Sequence, residues 1–390
     1  MKQLIILIGF LISFGCYGQK TNRELKIVNF SGSGYELGLQ HGKALKKEIG
    51  EIISAWKINT SNELGKDADI VLESFYKYAY FDEAIKQWTP ELYEEIKGIA
   101  KGSEQQFNDV LVLNLLDEFW IYINNLNNHH CSAAGFPARN GHPAYISQNM
   151  DLEKYTDGFQ VLMRLNRTAK SPEQLILTYP GLIALNGLNE DGIGVCVNTL
   201  MQLKAAPSGL PVAFVIRHIL NSTDKNDLLS FIQTVHHASG QNYVIGIKGE
   251  VFDFEASANK VARFNPKNEN GSIYHTNHPI VNEDIKPWFK QFDPRLSEEL
   301  KPMNSNSYLR FKAVEKRVKT NLNVNESIIK EALQPKDDKN NPVCRPHNEN
   351  ERAFTFSSII MSLGEKPNIQ ILAGPPDESD YKKFDFSEKQ

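Results

Sequence analysis

The chain has 390 residues, a net charge of −4 with both signs mixed along it, and 41% hydrophobic residues, enough to bury one large core or two ordinary ones. No basic block or interleaved aromatic platform accompanies that charge, which excludes a nucleic-acid partner. Cysteine is sparse: Cys16, Cys131, Cys196 and Cys344, with no Cys-x-x-Cys pair, exclude a disulfide scaffold and a structural zinc.

Residues 1–18 read as a secretory signal. Lys2 is a short positive start, the apolar run 4–14 is too short to span a bilayer, and Cys16-Tyr17-Gly18 offers small residues before a cut. The expected localisation is therefore export, periplasmic or extracellular. A lipoprotein acylated at Cys16 is the lesser reading, because Ser13 stands where a bulky aliphatic is usual. No other apolar run is long enough to cross a membrane. Once the signal is removed three cysteines remain in an oxidising compartment, which leaves at least one without an internal partner.

Residues 32–127 carry helical periodicity. Leu37, Ala44, Leu45, Ile49, Ile52, Ile53 and Trp56 form one apolar stripe at three- and four-residue spacing. Further helices are expected over 68–81, over 90–101, where Pro90 and Glu91 suit a first turn, and over 108–120. Glu118 inside that last apolar stretch reads as a solvated position, the alternative being a buried carboxyl in need of a partner. Residues 124–130 are polar and loop-like.

Beyond Cys131 the period changes to that of strands. Asn140-Gly141, flanked by strand-like residues, is a type I′ hairpin signal; counting outward from it places Arg139 opposite His142 and Cys131 opposite Met150, beside Asp151. Pro137 and Pro143 allow that register to slip by a residue or two. Strands are expected over 145–148, 159–165, 175–179, 194–198, 243–248, 251–255, 260–264, 355–361 and 368–372, with Lys248-Gly249-Glu250 as a second hairpin turn. Helices are expected over 211–220, 227–236 and 306–319, and the charged tail from Asp377 as frayed. Runs of strands and runs of helices indicate a mixed α/β (α+β) architecture in layers with antiparallel sheets.

The chemistry starts from what is missing: no Gly-x-Ser-x-Gly elbow, no phosphate-binding glycine loop and no His-Glu-x-x-His. His275 and His278 lack carboxylates or thiols at ligand spacing, so no metal site is expected, and no cofactor. His129-His130 and His236-His237 read as solvated or structural, Cys196 as inert core and Cys344 as a packed thiol. Cys131 is the candidate nucleophile, and a thiol with an ordinary pKa needs a base. His275 could serve as that base in an uncut chain. Alternatively, a break before Cys131 supplies its own α-amine.

Six segments, in this order, resemble one family. They are Gly34-Tyr-Glu-Leu-Gly-Leu-Gln-His-Gly; Pro90-Glu-Leu-Tyr-Glu-Glu-Ile-Lys-Gly; Cys131 with Gln148-Asn-Met-Asp151; Pro180-Gly-Leu-Ile-Ala-Leu-Asn-Gly; Tyr274-His-Thr-Asn277-His; and Val343-Cys-Arg345 with the closing Thr355-Phe-Ser-Ser. The chain thus resembles the isopenicillin N (acyl-coenzyme A:6-aminopenicillanic acid) acyltransferase-like group of N-terminal-nucleophile (Ntn) hydrolases, related to acid ceramidase and choloylglycine hydrolase. The resemblance implies a four-layer αββα sandwich of two antiparallel sheets with a helical N-terminal prosegment. It divides the chain into a signal at 1–18, a prosegment at 19–130 and a catalytic part at 131–390, the two parts remaining associated after self-cleavage between His130 and Cys131. It further implies that Cys131 carries an acyl-enzyme, Asp151 holds the amine of Cys131, Asn277 donates to the oxyanion and Arg345 steadies the surroundings. The substrate class so implied is a small-molecule N-acyl amide, cleaved by water or passed to an amine. A cysteine peptidase or thioesterase with an uncut Cys131, and a catalytically inactive secreted binding protein, are the alternatives. The inactive protein would show no dependence on Cys131.

Overall fold

The computed structural model describes residues 23–124, 131–297, 299–302, 305–340, 342–348 and 351–387; the expected signal with Cys16, and His129 and His130, lie outside them. The described chain opens on β1 (Lys26–Phe30) and continues through α1 (Gly34–Ala44), α2 (Lys46–Leu64), α3 (Ala68–Tyr78), α4 (Asp82–Trp88), α5 (Pro90–Ser103), α6 (Phe107–Leu113) and α7 (Leu116–Tyr122). Two expected helices are divided. The 34–56 stripe breaks at Leu45, a buried residue whose backbone leaves the helical region. The 108–120 stretch breaks at Asn114, whose amide serves tertiary contacts described below.

Helix α1 lies backbone to backbone on α5. A Cβ on Gly38 would stand 1.9 Å from the Glu95 carbonyl oxygen, and one on Gly98 would stand 2.2 Å from that of Tyr35. Only glycine permits an approach this close.

After α7 come β2 (Ser132–Phe136), β3 (Tyr145–Glu153), β4 (Val161–Leu165), β5 (Gln174–Thr178), β6 (Asn186–Asn189), β7 (Ile193–Thr199), α8 (Val212–Asn221), α9 (Lys225–Thr234), β8 (Gln241–Ile247), β9 (Glu250–Ala256), β10 (Val261–Phe264) and β11 (Ile273–His275). The described chain closes with α10 (Ser305–Val318), α11 (Glu326–Leu333), β12 (Ala353–Ser362), β13 (Asn368–Ala373) and β14 (Lys382–Asp385). One sheet runs β1-β4-β5-β6-β7-β8-β9-β10, the other β11-β2-β3-β12-β13-β14. Every pairing is antiparallel except β1 with β4, which is parallel.

The sheets face each other through small residues. Gly135 of β2 sits under Val244 and Val251, and Gly194 and Gly246 sit against Ile146. Helix α8 covers the outer face of the first sheet, and α10 and α11 cover the second, where Phe136, Tyr145, Val314, Val318, Ile329 and Leu333 form a separate apolar cluster. The layers are therefore αββα, with α1–α7 packed beside them.

Two expectations are corrected. The N-terminal segment is not purely helical, since Lys26-Ile-Val-Asn-Phe30 adds β1 to the edge of a sheet whose other strands come from beyond Cys131. The tail is not frayed at 382–385, because β14 pairs with β13.

Candidate active site

The β2–β3 hairpin carries the centre. Asn140 and Gly141 both have positive φ, 50° and 81°, as a type I′ turn requires, and Arg139 bridges His142. From that turn Phe136 pairs with Tyr145 and Ser132 with Asn149. One step further, Cys131 meets Met150, Sγ to Sδ 3.4 Å, and the two prolines cause no slip.

Asp151, next along β3, is buried. Its Oδ1 accepts from the Thr355 hydroxyl at 2.8 Å; its Oδ2 lies 3.6 Å from Arg345 Nε without a hydrogen-bond partner. Burial pushes the Asp151 carboxyl up to about 6, against the pull of the Arg345 and Arg310 charges. Arg345 is tied to the same threonine, for its backbone N–H donates to the Thr355 hydroxyl at 2.9 Å, and its Nη1 reaches Glu351 at 2.7 Å. The Cys131 thiol is pushed up to about 12, first by burial and then by the Asp151 charge, while the Asp151 N–H and Arg310 act the other way. In this state the thiol is protonated at neutral pH.

Asn277 follows β11 and joins the centre through a residue that the sequence reading did not single out. Arg310 of α10 is fully buried; it donates from Nη1 to the Cys131 carbonyl at 2.6 Å and the Ser132 hydroxyl at 2.9 Å, and from Nη2 to Asn277 Oδ1 at 2.9 Å. One guanidinium thus holds the candidate nucleophile's backbone and the amide oxygen of Asn277 together. The opposite end of that amide donates one N–H to the Thr199 carbonyl at 3.1 Å. Because Arg310 offers only donors, it fixes which end of Asn277 is oxygen and which is nitrogen. Nothing in the sequence of α10, which also carries Lys312, Lys316 and Arg317, sets Arg310 apart.

The other candidates separate from the centre. His275 Nε2 donates to Glu255 Oε1 at 2.8 Å and Nδ1 to the Thr276 carbonyl at 2.7 Å; the neighbouring Glu255 and Asp253 carboxyls raise its pKa against the effect of burial. With both nitrogens donating, it cannot take a proton from Cys131. His237 is buried and held to the Ile232 carbonyl, hence structural. Among the described residues no cluster of His, Cys, Asp and Glu could hold a metal. Cys196 is buried, and Cys344 packs against Asp377 at 2.9 Å. Glu118 is corrected: it is buried, accepts from the Val212 N–H at 3.1 Å and the Ser239 hydroxyl at 2.6 Å, and burial with the nearby Asp117 lifts it to about 7.

Cys131 opens onto a cavity of about 70 Å³. One wall comes from the N-terminal helices through Leu113, Leu116, Asp117 and Trp120; the others bring Met150 and Asp151 from one sheet, Val197 and Thr199 from the other, and Tyr155 and Tyr179 from the segments that follow β3 and β5. Those helices are tightly docked. His41 accepts from the Gly181 N–H at 3.1 Å, Asn114 donates to the Gly181 carbonyl and accepts from the Ile183 N–H, both at 2.9 Å, and Glu95 pairs with Arg217 at 2.8 Å.

A cysteine heading an inner strand on a cavity, under two facing antiparallel sheets clad in helices, places the chain in the αββα class of folds. The comparisons add the family and, with it, an acyltransferase-type enzyme. The model of the acyl-coenzyme A:6-aminopenicillanic acid acyl-transferase family matches residues 138–378, more than half of the chain and a span that includes Asp151, Asn277, Arg310 and Arg345, and the chain belongs to that family. It is 27% identical over 357 residues to the 40 kDa form of acyl-coenzyme A:6-aminopenicillanic-acid-acyltransferase from Emericella nidulans, covering 90% of this chain and 94% of that one. Among solved structures, penicillin V acylase from Agrobacterium tumefaciens is similar at 12% identity and TM-score 0.40, over 62% of this chain and 82% of that one. A mutant of the conjugated bile acid hydrolase from Clostridium perfringens is similar at 14% identity and TM-score 0.36, over 65% and 97%.

Proposed function

We propose that this chain is an exported, self-processing cysteine amidohydrolase that cleaves an N-acyl amide bond, with residues 1–18 as its signal, 19–130 as a prosegment and 131–390 as the catalytic part. The observation that carries this reading is the Cys131 thiol itself. It stands at the head of β2 on a cavity, is pushed up to about 12, and no histidine among the described residues hydrogen-bonds it. Such a thiol needs a base of its own. A cut before Cys131 creates an α-amine with a pKa near 8, a few atoms from the sulfur.

In the processing step the thiol adds to the carbonyl of His130 and the His130–Cys131 C–N bond breaks, leaving a thioester and a free amine. Water then hydrolyses the thioester. In turnover the amine takes the thiol proton, the sulfur adds to the substrate carbonyl, and the leaving amine departs with that proton. Water, or an acceptor amine, resolves the acyl-enzyme. The buried Asp151 is suited to hold the ammonium, and Arg345 to offset its charge. With Oδ1 on Arg310 and one N–H on Thr199, Asn277 keeps its second N–H for the oxyanion, a bond worth about 3–4 kcal/mol of barrier. The dense docking of α1–α7 supports a prosegment that stays after the cut. The substrate is a small N-acyl molecule, and no cofactor enters the scheme.

The test is intact mass and N-terminal sequencing of the wild type beside Cys131→Ser and Cys131→Ala. A wild-type fragment beginning at Cys131, absent in Cys131→Ala, is the expected result. A wild type that stays one chain overturns the amine-as-base mechanism.

A further inference from the structure

The turn that presents Asn277 is gripped at both ends by one carboxylate. Glu255, on β9, is fully buried, and each of its oxygens accepts twice: Oε1 from His275 Nε2 at 2.8 Å and from the Ile280 N–H, Oε2 from the Val281 N–H at 3.0 Å and the Asn282 N–H at 2.6 Å. A carboxylate has about four lone-pair sites, so these donors fill it. Successive backbone N–H groups closing on one anion make a nest. His275, the last residue of β11, brings its donor from the other side of Asn277. Asn282 doubles the hold, its Nδ2 donating to the Glu255 and Lys260 carbonyls, both at 2.9 Å. Against burial, His275 and the backbone donors pull the Glu255 carboxyl below its usual range, and Glu255 with Asp253 lifts His275, so both members of the pair are charged.

Asn277 lies inside that grip, and its own contacts reach outward. Its N–H donates to Ser307 Oγ at 2.8 Å, its carbonyl accepts from Gln202 Nε2 at 3.0 Å, and its side chain meets Arg310 and Thr199. The course of the backbone through 276–282, and with it the aim of the second side-chain N–H, depends on where His275 and residues 280–282 are pinned. A bond to a developing oxyanion is steeply geometric, and a misplacement of about 1 Å costs about a hundredfold in rate. A glutamine at 255 would turn an N–H group toward donors, orphan those on that side and let the turn shift.

We propose that Glu255 is a positioning residue, which through His275 and the backbone of residues 280–282 sets the aim of the Asn277 amide while bringing none of the reacting atoms. The inference rests on the reading of Asn277 as the oxyanion donor, and it gives His275 a part in the chemistry other than that of a base.

The test is a double-mutant cycle on the rate of self-cleavage at Cys131, followed by pulse–chase in cell-free synthesis of the full chain: wild type, Glu255→Gln, Asn277→Ala and the pair. Glu255→Gln is expected to slow cleavage about 10–100-fold beside Asn277, and by less than about threefold once Asn277→Ala has removed the donor. A purely structural role would slow both backgrounds alike; that result, or a Glu255→Gln rate within about threefold of wild type, overturns the proposal. Where circular dichroism shows Glu255→Gln unfolded, His275→Gln, which leaves the backbone donors in place, takes its position in the cycle. The side-chain amide proton resonances of Asn277, recorded in Cys131→Ala and assigned by their loss in Asn277→Ala, give a readout without cleavage. They should move in Glu255→Gln, and unmoved resonances overturn the proposal. A wild type that stays one chain, or an Asn277→Ala that cleaves as fast as wild type, fails the reading at Cys131 and Asn277 instead, and the resonances then decide on Glu255 alone.

Discussion

Glu95 and Arg217 allow a demanding test of how the N-terminal helices are held. Glu95 lies on α5 and Arg217 on α8, their side chains are 1% and 4% exposed, and Nη1 reaches Oε1 at 2.8 Å. At an effective dielectric near 20 the gross attraction at that distance is on the order of 6 kcal/mol, most of it offset by the cost of removing both charges from water. Removing one partner leaves the other charge buried alone, at about 3–5 kcal/mol. Glu95→Gln and Arg217→Met should each lower stability by that amount, on the order of 5–10 °C in Tm for a chain this long. Glu95→Leu with Arg217→Met should return to within about 1 kcal/mol of wild type, because neither charge remains to be compensated. Urea and thermal melts followed by circular dichroism give the cycle, and size exclusion reports whether the two parts co-elute. A single variant costing under about 1 kcal/mol, or a double variant costing the sum of the singles, would refute the reasoning.

Arg310→Lys keeps the charge but cannot serve three acceptors at once, so release of the fragment beginning at Cys131, followed by mass, should slow roughly 10²–10³-fold with the fold retained; a rate within threefold of wild type removes Arg310 from the centre. Gly98→Ala places a Cβ 2.2 Å from the Tyr35 carbonyl oxygen and should cost about 2–3 kcal/mol in urea melts, whereas Gly50→Ala, whose Cβ meets nothing nearer than 3.3 Å, should gain up to about 1 kcal/mol from helix propensity. Stability should fall from pH 6 to 8. Glu118 is raised to about 7, so the folded chain holds that proton more tightly than the unfolded one, and the benefit, present at low pH, is lost as pH rises through 7. The Glu118 share of that loss is roughly 1.4 kcal/mol over those two units, Asp253, lifted to about 7 by burial, adds to it, and Glu118→Gln should remove the Glu118 share from this part of the Tm–pH curve. Below about 6.5 His41 and His237, held down to about 3 and 4 by burial, act against this trend, since each loses stability as it is forced to charge.

Much of the centre could be read from the sequence because it is local. Asn140-Gly141 fixes a turn, the turn fixes a register, and the register puts Cys131 across from Met150 and beside Asp151. Arg310 escaped because nothing within its helix distinguishes it from Arg317 or the lysines around it; its role depends on Cys131, 179 residues away. Glu118 was misjudged for a related reason, as its partners Val212 and Ser239 lie on other elements. Strands β1, β6, β11 and β14 are three to five residues long and exist through their neighbours rather than through a periodic pattern of their own. His275 had the right residue type in a plausible order, but the fold commits it to Glu255, on another strand.

The parallel pair of β1 with β4 bears on the order in which this protein can mature. Lys26 aligns with Val161 and Phe30 with Leu165, so the outermost strand of the larger sheet closes only after chain well past Cys131 has been made. A pairing of such long sequence separation forms late, and until it does β4 is a bare edge open to other chains. The N-terminal segment therefore also works as an edge guard. Trimming it away should convert a monodisperse protein into one that self-associates, whatever becomes of the chemistry at Cys131.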